Sequence, residues 1–487
     1  MLRPALSVFH PTTPPDVRRA VHVLLTVSGL SLLYAGLYGH VYVFRTGLGL
    51  GLPDVSTGAD VLVTGLGAVA LFTAAWAIGL ALASTPSFAA GLRDAWARAS
   101  SAADRWPVAW AVAVVLAALY AVARVAWNGE CAPATLDALT AGAARTPFQY
   151  RALVPAAVQH AVSVVPALGR SLWLPYGAVE AAAALGAWAA TRSFLRPYVA
   201  GGEGGRSLAA LLVFVLLALN LATPVRHNAL FFPWDTLSVA LFTGGLALMH
   251  QRRWGLYYVL FVVATFNRET TCFLTVALVL SEWGHTPLRR LAAHGAAQLA
   301  LWVGVKALMA AAYAGNPALG EGAGESGLFI LPYVMNLGAV SGVPGLLMLT
   351  GTMGGLWLVP ALLAGRVSDP GLRRLFRFVP LFLVGMLVVG EVLEVRIYSE
   401  LIPLVVAALA VSLRSVVVEA AGGAGAGAET CPGRGILPRR ERAVVAGGQA
   451  PRSRRAGGLL FRHGQRGGFD DVRAVRRRAV RSSHGEG

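Results

Sequence analysis

The chain has 487 residues, 56% hydrophobic and only 13% charged, with a formal net charge of +17 carried almost wholly by arginine. A mean hydropathy of +0.61 excludes a soluble globule and leaves a multi-spanning membrane protein. Lys306 is the only lysine, and Cys131, Cys272 and Cys431 lie too far apart in sequence to suggest a metal-ligand set or a disulfide framework.

Arg3, Arg18 and Arg19 precede the first apolar run, which has no clear small-residue cleavage site, so the N-terminus reads as a retained helix. Runs long enough to span lie at 22–40, 61–84, 108–125, 171–190, 208–223 and 234–250. The next run, 255–283, is broken at its centre by Phe266-Asn267-Arg268-Glu269-Thr270. Insertion scales charge about 2.5–3.5 kcal/mol for each charged residue at a helix centre. Either the pair is buried in a bundle, or the run is two short helices meeting at a water-facing turn. Further runs follow at 291–313, 337–364, 376–390 and 401–413.

The arginines decide between these readings. With the N-terminus in the cytoplasm, the positive-inside rule gathers five loops on that side. They are 85–106 (Arg93, Arg98, Arg105), 192–206 (Arg192, Arg196, Arg206), 250–254 (Arg252, Arg253), 284–290 (Arg289, Arg290) and 365–377 (Arg366, Arg373, Arg374, Arg377). This holds only if residues 150–170 do not span and the run 255–283 crosses twice. The first condition suits a short interfacial helix, because Arg151, His160 and Arg170 alternate with valines and Pro155 and Pro166 stand near the ends. The second makes Asn267-Arg268-Glu269 an outer turn between two helices of roughly 20 Å each. A single crossing would give eleven spans and put later arginines outside.

The expectation is an all-α polytopic transmembrane helix bundle of about twelve spans in the plasma (inner) membrane, both termini cytoplasmic. Residues 1–106 form an N-terminal two-helix unit, 107–415 a membrane core with an outer loop at 127–170, and 416–487 a basic tail. From Gly422 on, Gly, Ala, Pro and Arg replace any hydrophobic periodicity, as in a disordered extension. No aromatic interleaving points to nucleic acid.

Under this topology the outer face collects mixed polar groups. The loop 127–170 brings Glu130, Asp137, Arg145, Tyr150 and Arg151. A second group is Arg226, His227 and Asn228, running on to Pro233-Trp234-Asp235. The third is Asn267-Arg268-Glu269-Thr270, and the fourth runs from Glu391 through Glu394 and Arg396 to Glu400. Guanidiniums recognise phosphate through forked, charge-assisted hydrogen bonds, and a nearby carboxylate can take the proton of an attacking hydroxyl. The pattern suits a ligand that is anionic, lipid-borne and hydroxylated. Arg396 and Glu400 also have the i, i+4 spacing of a plain helix pair, worth about 0.3–0.5 kcal/mol.

An acidic outer loop followed by an amphipathic segment, an Asp opening a later helix, and a short helix pair with a polar outer turn together resemble the GT-C superfamily of integral-membrane glycosyltransferases. The likeness covers roughly residues 107–415 as architecture. It implies a sugar moved from a polyprenyl-phosphate carrier to a hydroxyl of a glycan or lipid acceptor outside the cytoplasm. It also implies Asp137 as catalytic base and Arg226, Arg268 or Arg396 on the donor phosphate. Glu130 and Glu269 are the other candidate catalytic carboxylates. Arg145, Tyr150, Arg151, His227, Asp235, Asn267 and Glu400 complete the candidate substrate site. The superfamily places its acidic loop after the first helix, whereas two spans precede it here, and Asp54 and Asp60 between them are an alternative pair. No residue spacing requires a metal, though a divalent cation could bridge phosphate and carboxylate.

Glu180 and Lys306 fall inside expected spans. A buried Glu–Lys pair is the plain reading, and a proton relay would suit the main alternative, a secondary transporter. No internal repeat or matched pair of broken helices supports a transporter. A lipid-linked glycan polymerase or ligase is the chemically nearest alternative.

Overall fold

The computed structural model describes residues 13–47, 53–199, 202–222, 230–318, 332–390, 392 and 394–422. Arg226 and His227, and the tail from residue 423 on, lie outside the described residues, as do the side chains of Asp54 and Asp60. The first half of the chain supplies α1 (Pro15–Gly47), α2 (Pro53–Ala83), α3 (Pro86–Ala103), α4 (Trp106–Trp127), α5 (Leu136–Thr140), α6 (Leu153–Val164), α7 (Trp173–Phe194), α8 (Gly202–Ala210), α9 (Leu212–Leu221) and α10 (Asp235–His250). The second half supplies α11 (Trp254–Asn267), α12 (Phe273–Glu282), α13 (Leu288–Ala312), α14 (Pro332–Val340), α15 (Val343–Thr350), α16 (Leu358–Leu362), α17 (Pro370–Phe376), α18 (Phe378–Val389) and α19 (Ile402–Ala420). The described strands are two residues each, β1 (Gly129–Glu130) and β2 (Leu230–Phe231), paired in parallel.

Proline sets several starts by occupying the first turn, where its missing N–H costs nothing: Pro86, Pro107, Pro344, Pro370 and Pro403 all do so. Asp369 caps α17 by accepting from the Leu372 N–H at 2.7 Å. Among the described residues six helical stretches are long and apolar enough to cross a membrane: Pro15–Tyr38, Val63–Ala83, Pro107–Trp127, Gly202–Leu221, Leu288–Ala312 and Val395–Ala420. The other expected spans fall on helices that are shorter, interrupted or less apolar. The run 337–364, expected as one span, comes in pieces. A turn at Thr352–Gly355 separates α15 from α16, with Met353, Gly354 and Gly355 all at positive φ. Glycine pairs make that conformation accessible and end the helix there.

The broken run 255–283 doubles back. Arg268 adopts an extended conformation (φ −160°, ψ 142°) that ends α11 and leads into the short 3-10 turn Glu269–Cys272 and then α12. Arg252, before α11, reaches Glu282, the last residue of α12, at 3.0 Å. The two ends of the pair away from the turn therefore lie together, and the charged tip stands about 20 Å away at 1.5 Å per residue.

Contacts sort the connections between helices into two ends of the bundle. At one end, Gln251 donates to Ser193 Oγ (2.8 Å), Tyr198 meets His250, and Arg374 donates to the Trp283 carbonyl (3.3 Å). Asp104 accepts from the Gly204 N–H at 2.5 Å, and Arg366 joins Asp16 (2.8 Å) to Glu419 (2.6 Å). These are the arginine-bearing loops of the sequence. The opposite end holds the 127–170 loop, Asp235, the tip at Arg268, and residues 394–400. Small residues let helices approach within the bundle; a Cβ on Gly245 would lie 2.7 Å from Leu274 Cδ1, so the Leu274 side chain of α12 packs directly onto the α10 backbone there.

Residues 150–170 form α6 and a short 3-10 turn rather than a long helix. Val154 and Val158 of α6 pack with Tyr176 and Phe231, while Val164 and Val165 are exposed.

Candidate functional site

The parallel pairing of β1 with β2 fixes the outer loop beside Phe232-Pro233-Trp234, and so sets Asp235 at the first turn of α10. A carboxylate is favoured there by the exposed N–H groups of the helix start. Asp235 is fully buried and faces three guanidiniums. Its Oδ2 lies 3.3 Å from Arg124 Nη2, and its Oδ1 lies 3.3 Å from Arg268 Nη1 and 3.5 Å from Arg396 Nη1.

Each arginine has a second anchor. Arg268 Nη1 lies 3.2 Å from Glu400 Oε1, which also accepts from Thr270 Oγ1 at 2.7 Å. Arg396 Nη2 holds Glu394 at 2.6 Å, and its guanidinium lies 3.8 Å from the centre of the Phe232 ring. Arg124 donates to the Leu221 carbonyl and lies 5.5 Å from the Phe231 ring. Asn267 braces the tip by donating to the Trp234 carbonyl (3.0 Å) and Ser238 Oγ (2.9 Å). Burial works against the charge of Arg268, but Glu400 and Asp235 outweigh it and raise the group above its ordinary value.

A more accessible layer adjoins this core. Arg151 grips both oxygens of Glu269, with Nε at 3.1 Å from Oε2, and its guanidinium lies 4.9 Å from the Trp234 ring. Lys306 approaches Glu269 Oε2 only to 3.9 Å and lies 5.4 Å from the centre of the Tyr150 ring. The Trp302 indole donates to the Glu269 carbonyl at 2.9 Å. Burial would raise the Glu269 carboxyl, but the Arg151, Lys306 and Arg268 charges prevail and hold it well below the usual carboxylate range. The outer loop is strapped across this end: Thr146 N–H donates to the Pro317 carbonyl (3.0 Å), and Asn316 donates to Gly142 (2.9 Å) and Ala144 (2.8 Å).

Of the residues expected in the site, Arg151, Asp235, Asn267, Arg268, Glu269, Arg396 and Glu400 come together, and Tyr150 joins them through Lys306. Asp137 stands apart, exposed on α5 with no ion-pair partner among the described residues. Glu130 accepts from the Leu136 N–H at 3.3 Å, and Arg145 is half-buried with its own N–H on the Pro133 carbonyl.

Two expected pairings are corrected. Arg396 and Glu400 do not pair with each other, because the 3-10 turn Val395–Leu401 sends one to Glu394 and Asp235 and the other to Arg268. Glu180 and Lys306 are not partners either: Lys306 goes to Glu269, while Glu180 is buried toward Arg124 and Thr236. Arg124 was not among the expected site residues. Its signal was an arginine at the end of a span where the positive-inside rule gives no reason for one.

Among the described residues no three His, Cys, Asp or Glu side chains gather as a metal-ligand set. Comparison with known proteins gives no match to a family model, to a curated protein or to a solved structure.

Proposed function

We propose that the chain is a multi-pass membrane glycosyltransferase of about twelve spans, with both termini cytoplasmic in the plasma (inner) membrane. It moves a sugar from a polyprenyl-phosphate carrier to an acceptor hydroxyl on the extracytoplasmic face. The observation that carries this reading is the convergence of guanidiniums from four distant parts of the chain on Asp235 and Glu269, at the end opposite the arginine-bearing loops.

The acceptor hydroxyl is deprotonated by Asp137, with Glu130 as the alternative carboxylate on the same loop. Arg268 and Arg396, pre-aligned by Asp235, Glu400 and Glu394, stabilise the departing phosphate. The clamped Glu269 serves as counterion rather than base.

The test is transfer in proteoliposomes loaded with a polyprenyl-phosphate-linked radiolabelled sugar. The expected result is sugar release from the carrier, with Asp137→Asn lowering the rate by about 10²–10⁴-fold, the range of general-base catalysis. Unchanged transfer in Asp137→Asn removes that residue from the mechanism, and no transfer to any glycan or lipid acceptor removes the reading. One observation favours the transporter alternative, the fully buried Glu180 on α7. A labelled solute crossing the vesicle wall chemically unchanged would select it. A glycan acceptor that is itself lipid-linked would make the enzyme a polymerase or ligase.

A further inference from the structure

The three inner arginines are the least accessible cations at this end of the bundle. Arg124, Arg268 and Arg396 are between 0% and 7% exposed, and each is engaged by Asp235 and at least one further acceptor. The layer above them differs in accessibility and in charge balance. There Arg151 and Lys306 face a single carboxylate, Glu269, so the group carries one uncompensated positive charge. The Glu269 side chain is 35% exposed and Lys306 21%.

Lys306 is the less satisfied of the two cations. At 3.9 Å from Glu269 it is beyond hydrogen-bond distance, and its other close approach is the Tyr150 ring. The Lys306 side chain is four-fifths buried, and its ammonium, with three donors, makes no hydrogen bond among the described residues, so it is open to an acceptor from outside the chain. Its position says where that acceptor comes from. On α13 the residues Leu299, Val303 and Lys306 follow at helical spacing, and Leu299 and Val303 are 59% and 50% exposed. An apolar stripe thus leads along the outside of the bundle to the ammonium. Arg151, with its fork already turned to a carboxylate, offers the geometry that phosphate also fits.

We propose that Lys306 and Arg151 form a docking site for a phosphate monoester, carried at the head of a membrane lipid, which displaces Glu269 from Arg151 as it binds. Glu269 then acts as a built-in competitor, filling the fork when the phosphate is absent. The site requires only an anion, so it stands or falls separately from sugar transfer.

Because Lys306 is the only lysine, an amine-acylating reagent reports on it directly once the peptide carrying residue 306 is quantified by mass spectrometry. The full chain would be placed in phosphatidylcholine nanodiscs alone, with inorganic phosphate, with dioleoyl phosphatidic acid, or with oleate as an anion lacking phosphate. Slowing of acylation by at least fivefold with phosphatidic acid, but not with oleate, is the expected result. Protection by inorganic phosphate as well would assign the site to free phosphate too, and protection by inorganic phosphate alone would overturn the lipid source. Equal protection by oleate, or none by any additive, would overturn the site. Arg151→Gln should require roughly tenfold more phosphatidic acid for the same protection, the scale of one lost charge-assisted hydrogen bond. Glu269→Gln should require less, and a Glu269→Gln protein that needs more would overturn the competition.

Discussion

At Asp235 one carboxylate serves three guanidiniums, and two of these are also tied to glutamates that reach the site from residues 394–400. Removing one member of a buried ionic network leaves the others charged and unpaired, which costs about 3–5 kcal/mol in measured cases. Asp235→Asn is therefore expected to lower the thermal unfolding temperature in detergent sharply. Asp137→Asn, an exposed position, should stay within about 0.5 kcal/mol of the parent. Fluorescence-detected unfolding of both variants decides it, and an Asp235→Asn protein as stable as the parent would contradict the hub. Asp235, Arg268, Arg396 and Glu400 were each legible in the sequence as polar residues at the mouths of helices. Their partners were not, because pairing across 33 to 161 residues depends on how helices pack rather than on any local spacing.

The helix pair α11–α12 was legible as two short helices, because an Arg and a Glu in mid-run are too costly to leave in lipid and the arginine-bearing loops fall on one side only if the run crosses twice. That its tip is clamped from outside by Arg151, 118 residues earlier, was not. This clamp has a pH signature. The folded-state value of Glu269 lies below its ordinary one, so the stability it contributes is present in full above the unfolded carboxylate range and is lost as pH falls through it toward the folded value. Unfolding temperatures of the parent and Glu269→Gln should differ by a constant amount from pH 8 down to about 5. The difference should shrink below about pH 4.3, the ordinary glutamate value. A gap that closes between pH 8 and 6 would mean the carboxyl is not held by these cations. The opposite case at this scale is the run 337–364, where continuous hydrophobicity suggested one helix. The run of positive-φ residues at 353–355 breaks it, a conformational choice that hydropathy does not encode.

Arginine placement carried more information about the whole molecule than helix length did. Among the described residues six helical stretches satisfy length and hydropathy together, and the five loops grouped by the positive-inside rule lie at one end of the bundle. The polar segments gather at the other. Length and hydropathy are judged one helix at a time, whereas loop charge reports on the end of the bundle to which a connection belongs. If a membrane lies between the two ends, single cysteines placed on a background lacking Cys131, Cys272 and Cys431 will sort accordingly. Positions 93 and 289, both exposed, should react with an impermeant maleimide in right-side-out vesicles only after permeabilisation. Positions 137 and 160, exposed at the opposite end, should react in intact vesicles. Labelling of 137 and 289 from the same side would mean the two ends are not separated by the bilayer. The reversed pattern, with 93 and 289 outside, would keep the bundle and its charge cluster but turn the cluster toward the cytoplasm. An extracytoplasmic transferase would then have to be abandoned, whereas a phosphate site at Lys306 and Arg151 would survive in the other leaflet.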